Sequence, residues 1–109
     1  MARILKSKFF HFQAQHQLAY PIEARHGHDY EIEVTFENEN FRDIESIWRN
    51  FLEPHLHGRF LNETVEVPTG ENLTRWIFDQ LQLQMGPHLK RVQMRETLKN
   101  HFACEVQLG

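Results

Sequence analysis

The first third of the chain alternates between apolar and polar residues in two long runs. In the run from Lys6 to Leu18, one face holds Phe10, Phe12, Ala14, His16 and Leu18. In the run from His26 to Phe36, one face holds His26, His28, Tyr30, Ile32, Val34 and Phe36. A period of two predicts extended strands, because successive side chains of a strand leave opposite faces. We therefore expect two half-buried antiparallel strands.

The middle of the chain repeats its apolar residues at helical spacing. Asp43 can cap a first helix, which Pro54 ends or kinks. Thr69 is suited to cap a second helix, and Glu71 then lies at the positive end of the helix dipole. Gly86 closes this helix together with the proline that follows it. The pattern predicts two amphipathic helices.

Two shorter alternating runs complete the chain. In the first, Val92, Met94 and Glu96 share a face, and the second extends from Phe102 to Leu108. The predicted order is strand, strand, helix, helix, strand, strand (ββααββ). This order indicates a single α+β domain over residues 1–109, in which two helices cover one face of an antiparallel four-stranded sheet.

Composition narrows the class of protein. The 109 residues suffice for one domain, and a net charge of −3 argues against broad binding to nucleic-acid backbones. Cys104 is the only cysteine, so no disulfide can form within the chain. The sequence has neither the apolar core of a signal peptide nor an apolar run long enough for a membrane helix. We therefore expect a cytoplasmic protein that contacts no membrane.

Histidines occupy positions on the apolar faces of both N-terminal strands. His26 and His28 are two residues apart and leave the same face, while His16 continues the inward face of its own strand. If the strands pair, the three imidazoles converge, and a metal would offset the cost of burying them. Three histidines with a fourth position open are typical of a catalytic zinc site. From spacing alone a chance arrangement stays open, because His-x-His is a weak motif.

Glu96 continues the apolar face of Val92 and Met94, where an unpartnered carboxylate would be costly. An inward glutamate can accept paired N–H donors from the edge of a heterocyclic ligand. Alternatively, Glu96 is exposed at the strand end, or pairs with Arg91 or Arg95 of a neighbouring chain. The sequence leaves both interpretations open.

Several segments together resemble one known family. Phe12–His16 is similar to its Phe-Ser-Ala-Ala-His, and His26–Tyr30 to its His-Gly-His-Asn-Tyr. Pro68–Leu73 resembles its Pro-Thr-Ala-Glu-Asn-Leu, and Arg95–Thr97 contains its final Glu-Thr. The family is that of the 6-pyruvoyltetrahydropterin synthases and the related 6-carboxytetrahydropterin synthases of queuosine biosynthesis. The resemblance runs nearly from end to end.

The resemblance implies a tunnelling fold, in which the sheets of several subunits join into a barrel, commonly in a hexamer. It implies a zinc ion on His16, His26 and His28. It also implies a pterin substrate, 7,8-dihydroneopterin triphosphate, whose ring is bound by Glu96 with Thr97. Zinc would polarise the oxygens of the substrate side chain.

The catalytic positions depart from the family pattern. Ile22 stands where the family has its cysteine, and the family's Asp-His pair aligns with His57 and Gly58. Glu23 and His57 are the candidate acid and base groups. We expect either a divergent zinc-dependent lyase or a non-catalytic paralogue that binds zinc and a pterin. A histidine-rich metal-binding protein outside the family is a third hypothesis.

Overall fold

A computed structural model of the protein describes residues 2–18, 26–96 and 100–107. Its strands form one antiparallel sheet in the order β1-β2-β3-β4. Their bounds are β1 Lys6–His16, β2 His26–Phe36, β3 Leu89–Arg95 and β4 His101–Glu105. The predicted bounds of β2 are confirmed, whereas β1 ends before Leu18 and β4 ends before Leu108.

The first helical segment is continuous but changes its winding. It consists of α1 (Phe41–Ile47), a π-helical turn (Trp48–Leu52) and α2 (Glu53–Leu56). Pro54 has no N–H to donate, and its ring would clash with the carbonyl four residues earlier in a regular α-helix. The wider π-turn, closed by the Glu53 N–H to the Trp48 carbonyl, precedes this proline. The segment therefore continues past Pro54 to Leu56.

Asn40, not Asp43, caps this first segment. The Asn40 Oδ1 accepts a hydrogen bond from the Asp43 N–H at 2.9 Å, so α1 begins three residues earlier than the sequence indicated. Asp43 lies in the first turn, where its charge suits the helix dipole.

The second helix, α3 (Gly70–Met85), has the predicted ends. The Thr69 hydroxyl accepts from the Asn72 N–H at 3.2 Å, which confirms its role as the cap. Gly86 ends the helix with a φ of 58°, a conformation that glycine adopts without strain. Within the described part of the chain, no helix is long and apolar enough to cross a membrane.

The core lies between the helices and one face of the sheet. Phe12 stacks on Tyr30 with ring centroids 4.7 Å apart, and Phe10 stacks on Trp48 at 4.6 Å. These inward residues are buried, while their neighbours along β1 are exposed. The predicted α+β architecture, with a four-stranded sheet covered by two helices, is therefore confirmed.

The segment after α2 runs along the outer edge of β1. The Gly58 N–H donates to the Gln13 carbonyl at 2.7 Å, and the Gln15 N–H donates to the Arg59 carbonyl at 3.0 Å. Further on, the Asn62 side chain exchanges two hydrogen bonds with the backbone of Gln17. The C-terminal half of this edge is thereby paired within the chain, and the residues after α2 are held beside the predicted site.

Candidate metal and ligand site

His16 is the last residue of β1, and its side chain is 2% exposed. Its Nδ1 lies 3.2 Å from the carbonyl oxygen of Pro68, just before α3. Because a carbonyl oxygen can only accept, Nδ1 is the donor, and Nε2 of the neutral ring keeps its lone pair. A histidine that binds a metal usually donates its other ring N–H in this way. The contact with Pro68 therefore leaves Nε2 as the candidate ligand atom.

His28 and Glu96 meet His16 at the same end of the sheet. The imidazole rings of His16 and His28 are 4.9 Å apart between centroids and nearly perpendicular. The Glu96 Oε1 lies 3.3 Å from the His28 Nε2 and 3.8 Å from the His16 Nε2. The candidate ligand atoms of these residues all lie within 4.8 Å of one another, and among the side chains that the structure describes no other group of three or more His, Cys, Asp or Glu does so. Their donor set of two imidazole nitrogens and a carboxylate suits zinc.

Other residues of the predicted site fall partly or wholly outside the described residues. The backbone of His26 pairs with His16 across β1 and β2, but its side chain is not described. Glu23 and Thr97 lie outside the described residues altogether. Their roles stay predictions. The pairing places the Cα of His26 opposite His16, and His26 is two residues before His28 on the same strand. Residues two apart on a strand leave the same face, as the prediction requires.

Glu96 follows the last residue of β3, and its N–H donates to the Asn100 carbonyl at 3.2 Å. The pairing of β3 with β2 ends at Arg95 and Glu31, so β2 from His28 to Tyr30 has no β3 residue beside it. A cleft of about 500 Å³ opens at this place. A second cleft, of about 480 Å³, reaches His28 from the side of Gly58. Both volumes are in the range of small-molecule sites.

Tyr30 is a polar residue of the first cleft whose role the sequence did not reveal. Its side chain is 1% exposed, and its hydroxyl has no hydrogen-bond partner among the described residues. Burial, and to a lesser extent the negative charge of Glu96, raise the pKa of this phenol, so it stays protonated and can donate. In the sequence, Tyr30 stood out only as a hydroxyl on an apolar face and as the last residue of the His26–Tyr30 segment that resembles the family motif.

The rim of the first cleft carries charges on the opposite face of the sheet. Glu31 lies between His11 and Arg95, with contacts of 3.8 and 3.4 Å to their side chains. This carboxylate is on the other side of β2 from the Glu96 cluster, because Glu31 has the opposite strand parity to His28 and Tyr30.

The structure does not bring His57 into the His16–His28–Glu96 cluster. His57 caps the C-terminus of α2, and its Nδ1 accepts the Gln13 N–H at 3.2 Å. Its neutral ring therefore carries the proton on Nε2. Together with Asp29 and Tyr30, among others, His57 lines a cleft of about 460 Å³ that the residues of the His16–His28–Glu96 cluster do not line. Sequence spacing could not reveal this bond, which joins residues 44 positions apart.

The fold and the site define an α+β protein of the tunnelling-fold class. A family model described as 6-pyruvoyl tetrahydropterin synthase matches residues 5–107, and the chain belongs to this family. A search of curated protein sequences found no significant match.

Solved structures agree on the fold. The 6-pyruvoyl tetrahydropterin synthase of Caenorhabditis elegans is 21% identical, with a TM-score of 0.81 over 95% of this chain and 96% of that chain. An uncharacterized protein from Wolinella succinogenes is 15% identical, with a TM-score of 0.76 over 95% and 98% of the two chains. The Plasmodium falciparum 6-pyruvoyl tetrahydropterin synthase is 13% identical, with a TM-score of 0.64 over 95% and 99%.

Proposed function

We propose that this chain binds zinc through His16, His26 and His28 and acts on 7,8-dihydroneopterin triphosphate or a related pterin as a zinc-dependent lyase. The observation that carries the proposal is the convergence of two imidazoles and a carboxylate beside a cleft, with His16 oriented by the Pro68 carbonyl. Zinc bound there would polarise the oxygens of the pterin side chain. Family membership supports the pterin as the ligand class and a route such as tetrahydropterin or queuosine synthesis.

Glu96, with Thr97, is proposed to bind the pterin ring. The side chain of Glu96 is 15% exposed and faces the cleft, where a carboxylate can accept two N–H donors from the ring edge. Tyr30 adds a buried hydroxyl donor on the same side of the cleft. These groups would orient the ring, and the histidine cluster would lie beside its side chain.

Glu23 and His57 are the proposed proton-transfer groups. The Gln13 N–H occupies Nδ1 of His57, so the neutral ring can donate a hydrogen bond from Nε2 but can take up a proton at Nδ1 only by breaking that bond. His57 would therefore act as a proton acceptor only after its bond to Gln13 opens. Glu23 and His57 together stay the candidate acid and base groups.

A non-catalytic, zinc- and pterin-binding paralogue is the second candidate function. The observation that favours it is that the positions aligned with the family's catalytic cysteine and histidine hold Ile22 and Gly58. Ile22 cannot transfer a proton, and Gly58 has a φ of 70° with its N–H bonded to Gln13. Loss of general acid–base help lowers rates by roughly 10²–10⁴-fold and leaves the binding groups in place.

Metal analysis, calorimetry and product analysis on one preparation test these proposals. We expect about one zinc per chain, a loss of zinc in His28→Ala, and no loss in the control His101→Ala, which replaces an exposed histidine of β4. Dihydroneopterin triphosphate should bind, and any turnover should fall in Glu23→Gln and His57→Gln. Binding without turnover would favour the paralogue. A wild-type protein that takes up no zinc, or that binds no pterin, would contradict both.

We also propose that the chain forms a homo-oligomer, in the hexameric arrangement implied for the family. β1 and β4 are the edge strands of the sheet, and the C-terminal half of the β1 edge is paired within the chain. The N-terminal half of β1 and the outer edge of β4 are therefore the edges that favour pairing with another chain. The exposed apolar residues near these edges are Ile4, Leu5, Phe9 and Val106. Light scattering at micromolar concentration should give the mass of a multimer, and a monomeric mass would contradict the proposal.

A further inference from the structure

His16 and its hydrogen-bond partner Pro68 both lie at the end of a regular element. His16 is the last residue of β1, and Thr69 is the cap of α3, so the Pro68 carbonyl lies just outside the hydrogen-bonded ladder of the helix. We propose that two side-chain amides, those of Asn62 and Asn72, hold these ends and are positioning residues for His16 as a metal ligand. The inference rests on the proposed function, because it takes His16 to bind zinc.

Asn72 holds the turn that presents the Pro68 carbonyl to His16. Its side-chain Nδ2 donates to the Val67 carbonyl at 2.9 Å. The Thr69 N–H donates to the same carbonyl at 2.9 Å, which closes a three-residue turn around Pro68. The Asn72 N–H in turn donates to the Thr69 hydroxyl at 3.2 Å. Asn72 therefore ties down the residues on both sides of Pro68.

The contact between His16 and Pro68 has little margin for movement. The distance from Nδ1 to the carbonyl oxygen is 3.2 Å, at the upper end of the ordinary range of about 2.7–3.2 Å. The proline ring fixes φ of Pro68 near about −65°, so ψ is the dihedral that sets the direction of the carbonyl. The bond from Asn72 to the preceding residue limits this rotation. Without that bond, part of the molecules should lose the hydrogen bond to Nδ1.

Asn62 holds the backbone directly after His16. Its Oδ1 accepts the Gln17 N–H at 2.9 Å, and its Nδ2 donates to the Gln17 carbonyl at 2.8 Å. One side chain thus does what a neighbouring strand does, and it extends the pairing of the β1 edge past His16. On the other side of His16, the Gln15 N–H donates to the Arg59 carbonyl at 3.0 Å. The backbone of His16 is therefore held from both sides by the segment after α2.

Both positions use an amide in a way that a carboxylate cannot copy. An ionised aspartate has nearly the same shape as asparagine, but it only accepts hydrogen bonds. Asn72→Asp and Asn62→Asp therefore remove the two donor atoms while they keep the size of the side chains. Each also adds a negative charge, which attracts a cation. Charge alone would thus tighten zinc binding, whereas loss of positioning weakens it, and the two effects have opposite signs.

Zinc competition against a chromophoric chelator tests the proposal. Asn72→Asp and Asn62→Asp should each raise the zinc Kd by about three- to tenfold, the effect of losing one hydrogen bond that supports the bound geometry. Asn50→Asp is the matched control, because it makes the same chemical change at an exposed asparagine whose amide donates to the Ser46 hydroxyl at 3.3 Å in the π-turn. The control should change the zinc Kd by less than about twofold, as expected for an exposed charge.

Two spectroscopic readouts separate positioning from a general loss of stability. The d–d spectrum of the Co²⁺-loaded protein should change in Asn72→Asp and Asn62→Asp and stay unchanged in Asn50→Asp. In the metal-free protein at about pH 8.5, where imidazoles are ordinarily neutral, long-range ¹H–¹⁵N correlation reports which ring nitrogen carries the proton. His16 should hold its proton on Nδ1 in the wild type and show a mixture of tautomers in Asn72→Asp. If an aspartate variant fails to fold, the corresponding alanine variant, which adds no charge, replaces it.

The possible results distinguish this inference from the proposed function. A wild-type protein that takes up no zinc contradicts the proposed function, and the His16 tautomer then decides whether Asn72 holds the ring. Zinc binding in the wild type, with both variants equal to Asn50→Asp, contradicts the present inference alone. Tighter zinc binding in Asn72→Asp also overturns it, because charge and not geometry would then determine the affinity. If only one variant weakens zinc binding, the claim is overturned for the other asparagine.

Discussion

Gly70 begins α3 directly against the ring of Phe102, and Gly70→Ala tests how tightly the helix start is packed. A Cβ built at Gly70 would lie 2.1, 2.4 and 2.6 Å from the Cε2, Cζ and Cδ2 atoms of Phe102. Carbon atoms in contact are ordinarily about 3.5–4.0 Å apart. Either the ring or the helix start must therefore move by roughly 1–1.5 Å to restore ordinary contacts. The aligned family motif has alanine at this position, so the motif alone would suggest that the change is harmless.

The expected cost follows from two opposing effects. Overpacking of this kind costs about 1–3 kcal/mol. Replacing glycine by alanine in a helix returns about 0.5–1 kcal/mol. Because the closest contact would be only 2.1 Å, the upper part of the overpacking range, about 2–3 kcal/mol, applies. We therefore expect a net loss of about 1–2.5 kcal/mol of unfolding free energy, or a fall in Tm of about 4–20 °C for a domain of this size. Urea and thermal unfolding of the metal-free protein measure both quantities.

Two companion variants identify the cause. Gly27→Ala is the control, because its Cβ would meet its nearest neighbours at an ordinary 3.6 Å, and its stability should be equal to that of the wild type or higher. In a Phe102→Ala background the ring is absent, and Gly70→Ala should then be neutral or stabilising. A Gly70→Ala protein as stable as the wild type, or equal costs with and without the Phe102 ring, would refute the packing argument.

The same variant reports on the site. Pro68 lies two residues before Gly70, and its carbonyl holds Nδ1 of His16. If the helix start moves to accommodate the new methyl group, that hydrogen bond is disturbed and the zinc Kd should rise. Movement of the Phe102 ring alone would leave the zinc Kd unchanged. Zinc titration of Gly70→Ala thus distinguishes which of the two elements yields.

Two further variants probe single polar groups. The hydrogen bond from Lys90 holds the pKa of Glu37 below its ordinary value of about 4.5. Its stabilising effect is present at neutral pH and is lost as the pH falls through the lowered pKa, so the Tm deficit of Glu37→Gln at pH 7 should shrink in acid. A constant deficit over the acid range would contradict this. Tyr30→Phe removes a buried hydroxyl without a partner among the described residues, and should leave stability equal or raise it by about 1 kcal/mol in urea unfolding. A clear loss of stability would mean that the hydroxyl is bonded in the folded protein.

The sequence predicted the strands and α3 well because local patterns determine them. The alternation of β2 from His26 to Phe36 and the caps of α3 at Thr69 and Gly86 are local signals, and the structure confirms them. The start of α1 was predicted wrongly, with Asp43 as the cap. Asn40 is also a good cap residue, and only the bond that it makes to the Asp43 N–H shows which of the two caps the helix. The π-turn before Pro54 has no comparable local pattern.

For the site, the sequence predicted only which side chains face the core. The alternation along the strands predicted that His16, His28 and Glu96 face the core. It did not predict the distances among them. Those distances depend on the register of β3 against β2, which pairs Arg95 with Glu31 and so places Glu96 just beyond the paired region. They also depend on Pro68, 52 residues away from His16 in the chain, because its carbonyl orients the imidazole. Contacts between residues so far apart in the chain produce no pattern in a short stretch of sequence.

The candidate metal-binding residues and the candidate proton-transfer residues are held by different parts of the fold. This difference determines which of the two sets can be substituted more readily. The histidine cluster is held by the ends of β1 and β2, by the backbone beside β3, and by the segment that caps α3. A substitution that moved one of these elements would disturb the sheet or the core. The candidate proton-transfer residues instead lie in connecting segments, with His57 after α2 and Glu23 between β1 and β2. Connecting segments tolerate substitution more readily than the elements they join.

The candidate binding residues and the candidate proton-transfer residues can therefore vary independently in this chain. Gly58, at an aligned catalytic position, has no atom of the described residues within 4 Å of where its Cβ would lie, but its φ of 70° disfavours any side chain. The positive φ accompanies the bond from its N–H to Gln13, which covers the edge of β1. A histidine at this position would cost about 1–2 kcal/mol of backbone strain. The segment is thus shaped to pair with β1, while the geometry of the His16–His28–Glu96 cluster depends on other contacts, those of β1 with β2 and of His16 with Pro68.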